Sequence, residues 1–507
     1  MNFLQLLHGA EVLDQSGNPS VSGLEYDSRQ VKPGDAFIAM QGETSDGNKF
    51  IDKAIAGGAV AIVSDSASEK PREGVAWARV QHGRRVLARL SANFYKRPAE
   101  RLAITGITGT NGKSTTAFLL ESILSAANRK SALIGTIEYH VAGKILPASH
   151  TTPEALDLNR ILAEALGNGA TEAVMEVSSH ALAQQRVYGI PFDVAVFTNL
   201  TRDHLDYHHT MEEYFAAKRI LFEGCGTDPP RVAVLNDEDE YGRKLAKASK
   251  KSGAEVVTYG LRSGDLHAEN IDITPQGTRF DLVISKEAVP VFSPLIGKVN
   301  VYNVLAAAGA AYARDCKPKA IAMGIANLSR VPGRFERVDC KQPFTVVVDY
   351  AHTDDALRNL TSLAREFVQQ AKQKGRVITL FGCGGDRDRA KRPLMGEAAG
   401  RGSDFVVLTS DNPRSEDPLA IINDAMVGLQ RSGAKYKVEP NRKMAIALAI
   451  GEAGPGDIVL IAGKGHEKVQ VTREGSVPFD DVGVARQILR ESGYNCGAAN
   501  AAAGNNL

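Results

Sequence analysis

The sequence is poor in cysteine, in net charge and in long apolar runs, and each shortage closes off a class of function. Only five cysteines occur in 507 residues. Cys225, Cys316, Cys340, Cys383 and Cys496 are scattered, odd in number and without a Cys-x-x-Cys pair, which argues for reduced, packed thiols and against a zinc site. Sixty Lys and Arg against 59 Asp and Glu leave a formal charge of +1, so no basic field draws in nucleic acid or a membrane surface. Any anion must be held by a local arrangement. Nowhere do about 18 apolar residues run together, and residues 1–13 lack the basic segment and unbroken apolar core of a secretion signal. A cytoplasmic, monomeric enzyme acting on small molecules is the expectation.

What is present is the composition of an ordinary globular protein, 43% hydrophobic and 23% charged, in a chain long enough for roughly three domains at about 150 residues each. Its most informative stretch is Gly106-Ile107-Thr108-Gly109-Thr110-Asn111-Gly112-Lys113-Ser114-Thr115-Thr116. A short apolar run, 102–104, precedes it and a helical pattern, 117–124, follows, which is the strand, glycine turn and helix order of a phosphate-binding loop. Glycines let backbone N–H groups close around a triphosphate, and the helix N-terminus adds its positive dipole end. Lys113 reaches the terminal phosphates and Ser114 can ligate Mg²⁺. Position 107 is isoleucine where the general nucleotide-loop pattern has its first glycine, so Gly-Thr-Asn-Gly-Lys-Ser carries the signal.

The rest of the chain reads as α/β, in three parts and a tail. Residues 1–99 form a small mixed α/β domain, with strand 35–40, a helix then strand over 50–63, a turn at Tyr26-Asp27-Ser28-Arg29 and a helix closed by Arg97-Pro98. Residues 100–330 alternate strand and helix, with strands at 132–137, 173–177 and 194–199, which predicts a doubly wound sheet behind the phosphate loop. Residues 331–495 repeat the alternation as a Rossmann-like α/β domain with strands 344–348, 377–381, 405–408 and 458–461. Residues 496–507, nearly all Ala, Asn and Gly, read as a frayed tail.

Ligands of such sheets sit beyond the carboxyl ends of the strands, so polar residues just after each apolar run are the site candidates. In the central part these are Glu176-Val177-Ser178-Ser179-His180 and Thr198-Asn199-Leu200-Thr201-Arg202-Asp203-His204, carboxylates and imidazoles of the kind Mg²⁺ accepts. The C-terminal exits carry Asp349-Tyr350-Ala351-His352, Gly382 to Asp388, Ser410-Asp411-Asn412-Pro413-Arg414 and Gly463-Lys464-Gly465-His466-Glu467. Four polar exits on one sheet make a second binding face. Lys218 shares a helix face with the apolar positions 214, 215, 221 and 222 and so points inward.

Together these motifs, with Asn300-Val301-Tyr302-Asn303 and Pro332-Gly333-Arg334-Phe335-Glu336, resemble the Mur ligases of bacterial cell-wall synthesis over nearly the whole chain. The resemblance implies an N-terminal domain for a UDP-sugar, a central ATPase and a C-terminal domain that receives an amino acid. It implies ATP and Mg²⁺ as cofactors and a reaction through an acyl phosphate. UDP-N-acetylmuramoyl-L-alanyl-D-glutamate would be the acid and meso-diaminopimelate the amine. By motif, Gly109, Thr110, Asn111, Gly112, Lys113, Ser114 and Thr115 would cradle ATP, joined by Asn303, Arg334 and Asp349. The UDP-substrate positions would be Tyr26, Ser28, Thr151, Thr152, Ser178, Gln184 and Arg186. Ser114 would hold one Mg²⁺, and Glu176 and His204 a second, supported by Lys218 as a carbamate. Lys113, Lys218, Glu176 and His204 would form the catalytic set.

For the acceptor amine the matching positions are Arg387, Asp411, Asn412, Pro413, Arg414, Gly463 and Glu467. An arginine fork suits the distal carboxylate that diaminopimelate has and lysine lacks. A lysine-adding counterpart and a folylpolyglutamate synthetase-like ligase remain alternatives, as does a nucleotide-dependent binding protein without ligase activity. Two departures from the family pattern stand out. Residues 41–47 lack a histidine that relatives often carry there, and Asp354 replaces the usual proline of the Asp-Tyr-Ala-His-Thr-Pro-Asp sequence.

Overall fold

The computed structural model describes residues 1–42, 45–370 and 374–496. Of the histidine-free stretch 41–47, residues 43 and 44 lie outside the described residues, as do residues 497–507 of the expected tail. Three sheets organise the chain. The N-terminal one runs Val12–Ser16, Ala76–Val80, Ala61–Ser64, Asp35–Ala39, Gly23–Glu25. All its pairs are parallel except the first. Helix Gly83–Phe94 supplies Val86, Leu87 and Leu90 to its core, and the chain then leaves through Lys96 and Arg97 in the left-handed region before Pro98.

The central sheet has eleven strands, and its parallel middle reads Glu255–Tyr259, Val232–Asn236, Phe192–Phe197, Ala103–Thr108, Glu172–Glu176, Ser131–Ile134. The doubly wound parallel middle is as expected, and antiparallel strands that the sequence did not mark flank it. Antiparallel strands Glu138–Val141 and Lys144–Pro147 extend one side, and Leu266–Thr274, Gly277–Ile284 and Glu287–Ser293 form an antiparallel meander on the other. Side chains alternate between faces as the pleat requires. Val194 and Val196 enter the core under helices Lys113–Ala126 and Lys298–Ala313, while Ala195 and Phe197 enter the core under Ala155–Gly167 and Met211–Glu223. The phosphate-loop strand lies between Phe192–Phe197 and Glu172–Glu176, so the chain departs to both sides of it and opens the crevice in which such sheets bind ligands.

The C-terminal sheet runs Glu336–Val338, Thr345–Asp349, Ile458–Ala462, Val377–Phe381, Phe405–Leu408, Tyr436–Val438, parallel except at its first pair. Helices cover both faces: Val347, Val377 and Phe381 pack on one side with Leu357, Met395 and Ile421, and Val346, Val348 and Ile378 on the other with Ala445, Ile446 and Ala485. Because the four middle strands are parallel neighbours, the four polar exits read from the sequence do emerge along one edge. Helix Asp354–Gln370 begins at Asp354 itself, which pairs with Arg358 at 2.5 Å, so aspartate in place of proline leaves the helix intact.

The expectation of five reduced thiols is corrected at one pair. Cys340 and Cys496 form a disulfide across 156 residues. Spacing rules detect near neighbours in sequence and have no reach over such a gap. Cys225, Cys316 and Cys383 are buried free thiols, and burial pushes Cys225 up to about 11 and Cys383 up to about 12. Such thiols are packing groups. No helix among the described residues is long and apolar enough to cross a membrane.

Candidate active site

Gly109 and Gly112 adopt φ of 148° and 88°, which a side chain rarely tolerates. A Cβ at Gly109 would also meet Thr198 Oγ1 at 1.9 Å, and one at Gly112 would meet Asn303 Oδ1 at 2.3 Å. The loop is held from the neighbouring strand exit. Thr110 N donates to Asn199 O at 2.8 Å, Asn111 N to Asn199 Oδ1 at 2.9 Å, and Thr198 Oγ1 to Asn111 O at 2.6 Å. Helix Lys113–Ala126 starts with no side-chain cap, leaving its first N–H groups to an anion. Lys113 Nζ folds back onto the carbonyls of Gly109, at 3.0 Å, and Thr110, at 2.9 Å.

Ser114 and Glu176 meet: Ser114 Oγ donates to Glu176 Oε2 at 3.1 Å. The same carboxylate accepts from Thr136 Oγ1 at 3.0 Å and Thr136 N at 2.8 Å. Thr136 was absent from the residues read off the sequence because the strand expected over 132–137 enclosed it; the strand is Ser131–Ile134, and Thr136 lies two residues beyond it. A buried carboxylate and hydroxyl side by side are hard oxygen donors, the set Mg²⁺ prefers. Among the described residues no group of three or more His, Cys, Asp or Glu is arranged to hold a metal ion.

His204 sits in the left-handed region at φ 55°, its ring edge-on to His180 at 4.8 Å. Burial, with His180 and the nearby lysines, lowers its imidazole to about 3 against the pull of Asp203. Lys218 is 1% exposed. Its Nζ donates to Gly109 O at 2.8 Å and lies 4.5 Å from the centre of the Tyr214 ring, and burial followed by Lys113 drives the amine well below its ordinary range. Asp203 supplies a contact that the sequence did not reveal. It lies 3.4 Å from Lys391 Nζ and 3.7 Å from His352 Nε2, both from the C-terminal part of the chain.

Arg334 crosses the same boundary, donating to Ser114 Oγ at 3.2 Å and lying 4.6 Å over the Tyr350 ring. Asp349 accepts from Phe335 N at 2.7 Å and Ala351 N at 2.8 Å. Asn303 Nδ2 donates to Asn300 Oδ1 at 3.1 Å. Asn303, Arg334 and Asp349 line one cleft with Gly112, Phe335 and Leu360, so the positions expected for the nucleotide do converge.

The positions expected for the UDP substrate form a second group. Thr152 Oγ1 donates to Glu176 O at 2.9 Å and accepts from Ser178 N at 3.1 Å. Arg186 donates to Gln184 Oε1 at 2.7 Å and Thr152 O at 3.0 Å, and Thr151 Oγ1 lies 3.0 Å from Thr136 Oγ1. Tyr26, just after strand Gly23–Glu25, donates its hydroxyl to Asp157 Oδ2 at 3.1 Å. Ser28 stays in its turn and is half-buried.

At the C-terminal edge Asn412 Nδ2 donates to Glu467 Oε2 at 2.8 Å. Arg414, at φ 52°, donates to Gly385 O at 2.7 Å, and burial followed by Arg387 lowers its guanidinium. Pro413 carries the chain between them, while a Cβ at Gly463 would meet Asp411 Oδ2 at 2.4 Å. Hairpin Val469–Thr472/Gly475–Pro478, unforeseen in the sequence, clamps the tetrapeptide: Arg414 N donates to Val471 O at 3.0 Å and Gln470 Nε2 to Asp411 O at 2.6 Å.

Comparison with known families decides the affiliation. Residues 20–95 match the Mur ligase family catalytic domain, 107–311 the Mur ligase middle domain and 333–465 the Mur ligase glutamate ligase domain. A curated UDP-N-acetylmuramoyl-L-alanyl-D-glutamate–2,6-diaminopimelate ligase from Solibacter usitatus is 56% identical, with 94% of each chain covered. The chain belongs to the Mur ligase family. Another such ligase, from Geobacillus thermodenitrificans, is 45% identical over 94% of this Mur ligase and 96% of its own length. A solved structure bearing the same ligase name is 34% identical, with a TM-score of 0.67 over 98% of this chain and 100% of that one.

Proposed function

We propose that this Mur ligase joins meso-diaminopimelate to the D-glutamate carboxyl of UDP-N-acetylmuramoyl-L-alanyl-D-glutamate at the expense of ATP, in peptidoglycan precursor synthesis. The observation that carries the reading is that Arg414, with the Arg387 charge nearby, shares one sheet edge with the hydrogen-bonded Asn412–Glu467, in a chain 56% identical to a ligase of that name. Cationic groups for a distal carboxylate and a carboxylate for its amine match a zwitterion. Lysine would leave the Arg414 charge desolvated with no carboxylate opposite it, only the Gly385 carbonyl, at a cost of about 2–5 kcal/mol. The folylpolyglutamate-type alternative is disfavoured by that identity.

The chemistry needs charge neutralisation and positioning more than a covalent nucleophile. A glutamate carboxylate oxygen attacks the γ-phosphorus and ADP leaves; the amine then attacks the acyl carbon, loses a proton, and phosphate departs. Lys113, released from the carbonyls it now caps, and Arg334 would take the phosphate charge, with the open N–H groups of helix Lys113–Ala126 around it. Ser114 and Glu176 would hold one Mg²⁺, and Glu176 and His204 a second, with Lys218 as a carbamate; the ions would supply further neutralisation of the phosphates. An uncharged amine is what CO₂ accepts: the C–N bond forms, a proton leaves and a carboxylate results. The burial that lowers Lys218 supports that step.

The test offers the enzyme, ATP, Mg²⁺ and the UDP-muramoyl-dipeptide to a panel of amino acids and identifies the product by mass. Diaminopimelate is expected to be added in preference to lysine. Preference for lysine, or ATP turnover with no adduct, would overturn the reading.

A further inference from the structure

Lys464 lies in the second binding face with no role in the scheme above, although it is fully buried. Burying an ammonium is costly unless its partners are exact complements, and here both are acceptor-reading groups. Lys464 Nζ donates to Asn412 Oδ1 at 3.0 Å and to Glu467 Oε2 at 2.9 Å. Val471 N also donates to Asn412 Oδ1, at 3.0 Å, and Asn412 Nδ2 donates to Glu467 Oε2 at 2.8 Å. Lysine ammonium and backbone N–H can only donate and an ionised carboxylate can only accept, so the amide of Asn412 has one permitted orientation.

The consequence is a divided site. Glu467 Oε2 takes two donors, leaving Oε1 and the second amide hydrogen of Asn412 for a ligand. One uncommitted acceptor beside one uncommitted donor suits an ammonium and a carboxylate on the same carbon. Lys464 also neutralises Glu467, so a ligand bringing an ammonium alone gains little from that carboxylate. We propose that Lys464 is a positioning residue for acceptor choice, setting Asn412 and Glu467 to favour a zwitterionic distal end over a lone amine.

This deepens the diaminopimelate reading and rests on it, so the test must separate the two. kcat/KM for diaminopimelate and for lysine, and KM for ATP, are measured in wild type, Lys464→Met and Lys464→Gln, with Tm as the control for folding. In Lys464→Met the expected result is at least a tenfold rise in diaminopimelate KM, unchanged or improved use of lysine, and ATP KM within twofold of wild type; Lys464→Gln, which keeps a donor, should fall between. Equal losses for both amines, or a diaminopimelate-to-lysine ratio within twofold of wild type in whichever variant folds, overturns the role of Lys464. Failure of both variants to fold makes it a stability residue and overturns it too. A wild type that prefers lysine instead sinks the functional reading itself.

Discussion

Asp203 offers the sharpest test of how the central and C-terminal parts cooperate. It is 4% exposed and its carboxylate lies 3.4 Å from Lys391 Nζ, itself 7% exposed. Burial would raise this carboxyl, yet Lys391, His204 and His352 hold it well below the usual range. At an effective dielectric of about 20, two unit charges at that separation attract by roughly 5 kcal/mol. Desolvation offsets part of this, and removing one partner of a buried pair costs about 3–5 kcal/mol because the other is stranded. Asp203→Asn isolates the charge, since its amide oxygen can still accept from His204 N, now 2.9 Å from Oδ1. A cost of about 3 kcal/mol in the closed arrangement corresponds to roughly a hundredfold in kcat/KM. Lys391→Met should cost a similar factor, and the double variant little more than either single one, because the stranded charge has gone. The assay is phosphate release dependent on both substrates, with Tm confirming that each variant is folded. If the two losses multiply, coupling is absent and the pair does not tie the two parts together.

Three further outcomes follow from the geometry. Lys218→Ala should abolish ligation, and short carboxylic acids should restore part of it by standing in for the carbamate; a variant with near-normal activity, or one that no acid rescues, removes the carbamate. Lys113→Ala should leave a folded protein, since Lys113 sits in a loop at a helix start and not in a core, while ATP turnover is lost; normal turnover by the folded variant would contradict the role given to Lys113. His140 is held by Glu121 at 2.8 Å and Glu138 at 2.9 Å; burial alone would lower it, but these bonds raise it to about 9. A raised imidazole stabilises in full below its ordinary value near 6.5 and loses that contribution as pH climbs through about 9, at most about 3 kcal/mol. The Tm gap between wild type and His140→Gln should therefore be widest below pH 6.5 and close above 9, and a gap independent of pH refutes the pairing.

The phosphate loop was legible because its demands are local: left-handed glycines, a following helix and a lysine at fixed spacing all fall within eleven residues. Its strand was less so. The sequence marks 102–104 as apolar, yet the strand continues through Thr108, because Thr105, Gly106 and Thr108 are buried between parallel neighbours on both sides. Gly106 reads as turn, but a Cβ there would meet the Phe192 ring at 2.8 Å, so the glycine serves packing inside a strand.

What stayed hidden has one physical character. Asp203 stood within a quoted motif, but Lys391, its partner, is 188 residues away. Lys464 was visible as a residue and invisible as the donor that orders Asn412, 52 residues earlier, and Cys340 gave no sign of Cys496. Residues that touch a ligand gather at strand exits, where chain order alone locates them. Residues that orient those contacts are chosen by whichever segment the fold lays alongside, and no spacing rule records that. The positioning groups are therefore where sequence reading fails and where substitutions should expose couplings between distant segments. In this chain Asp203–Lys391 across the two sheets and Lys464–Asn412–Glu467 within one are couplings of this kind, set beside the residues expected to do the chemistry.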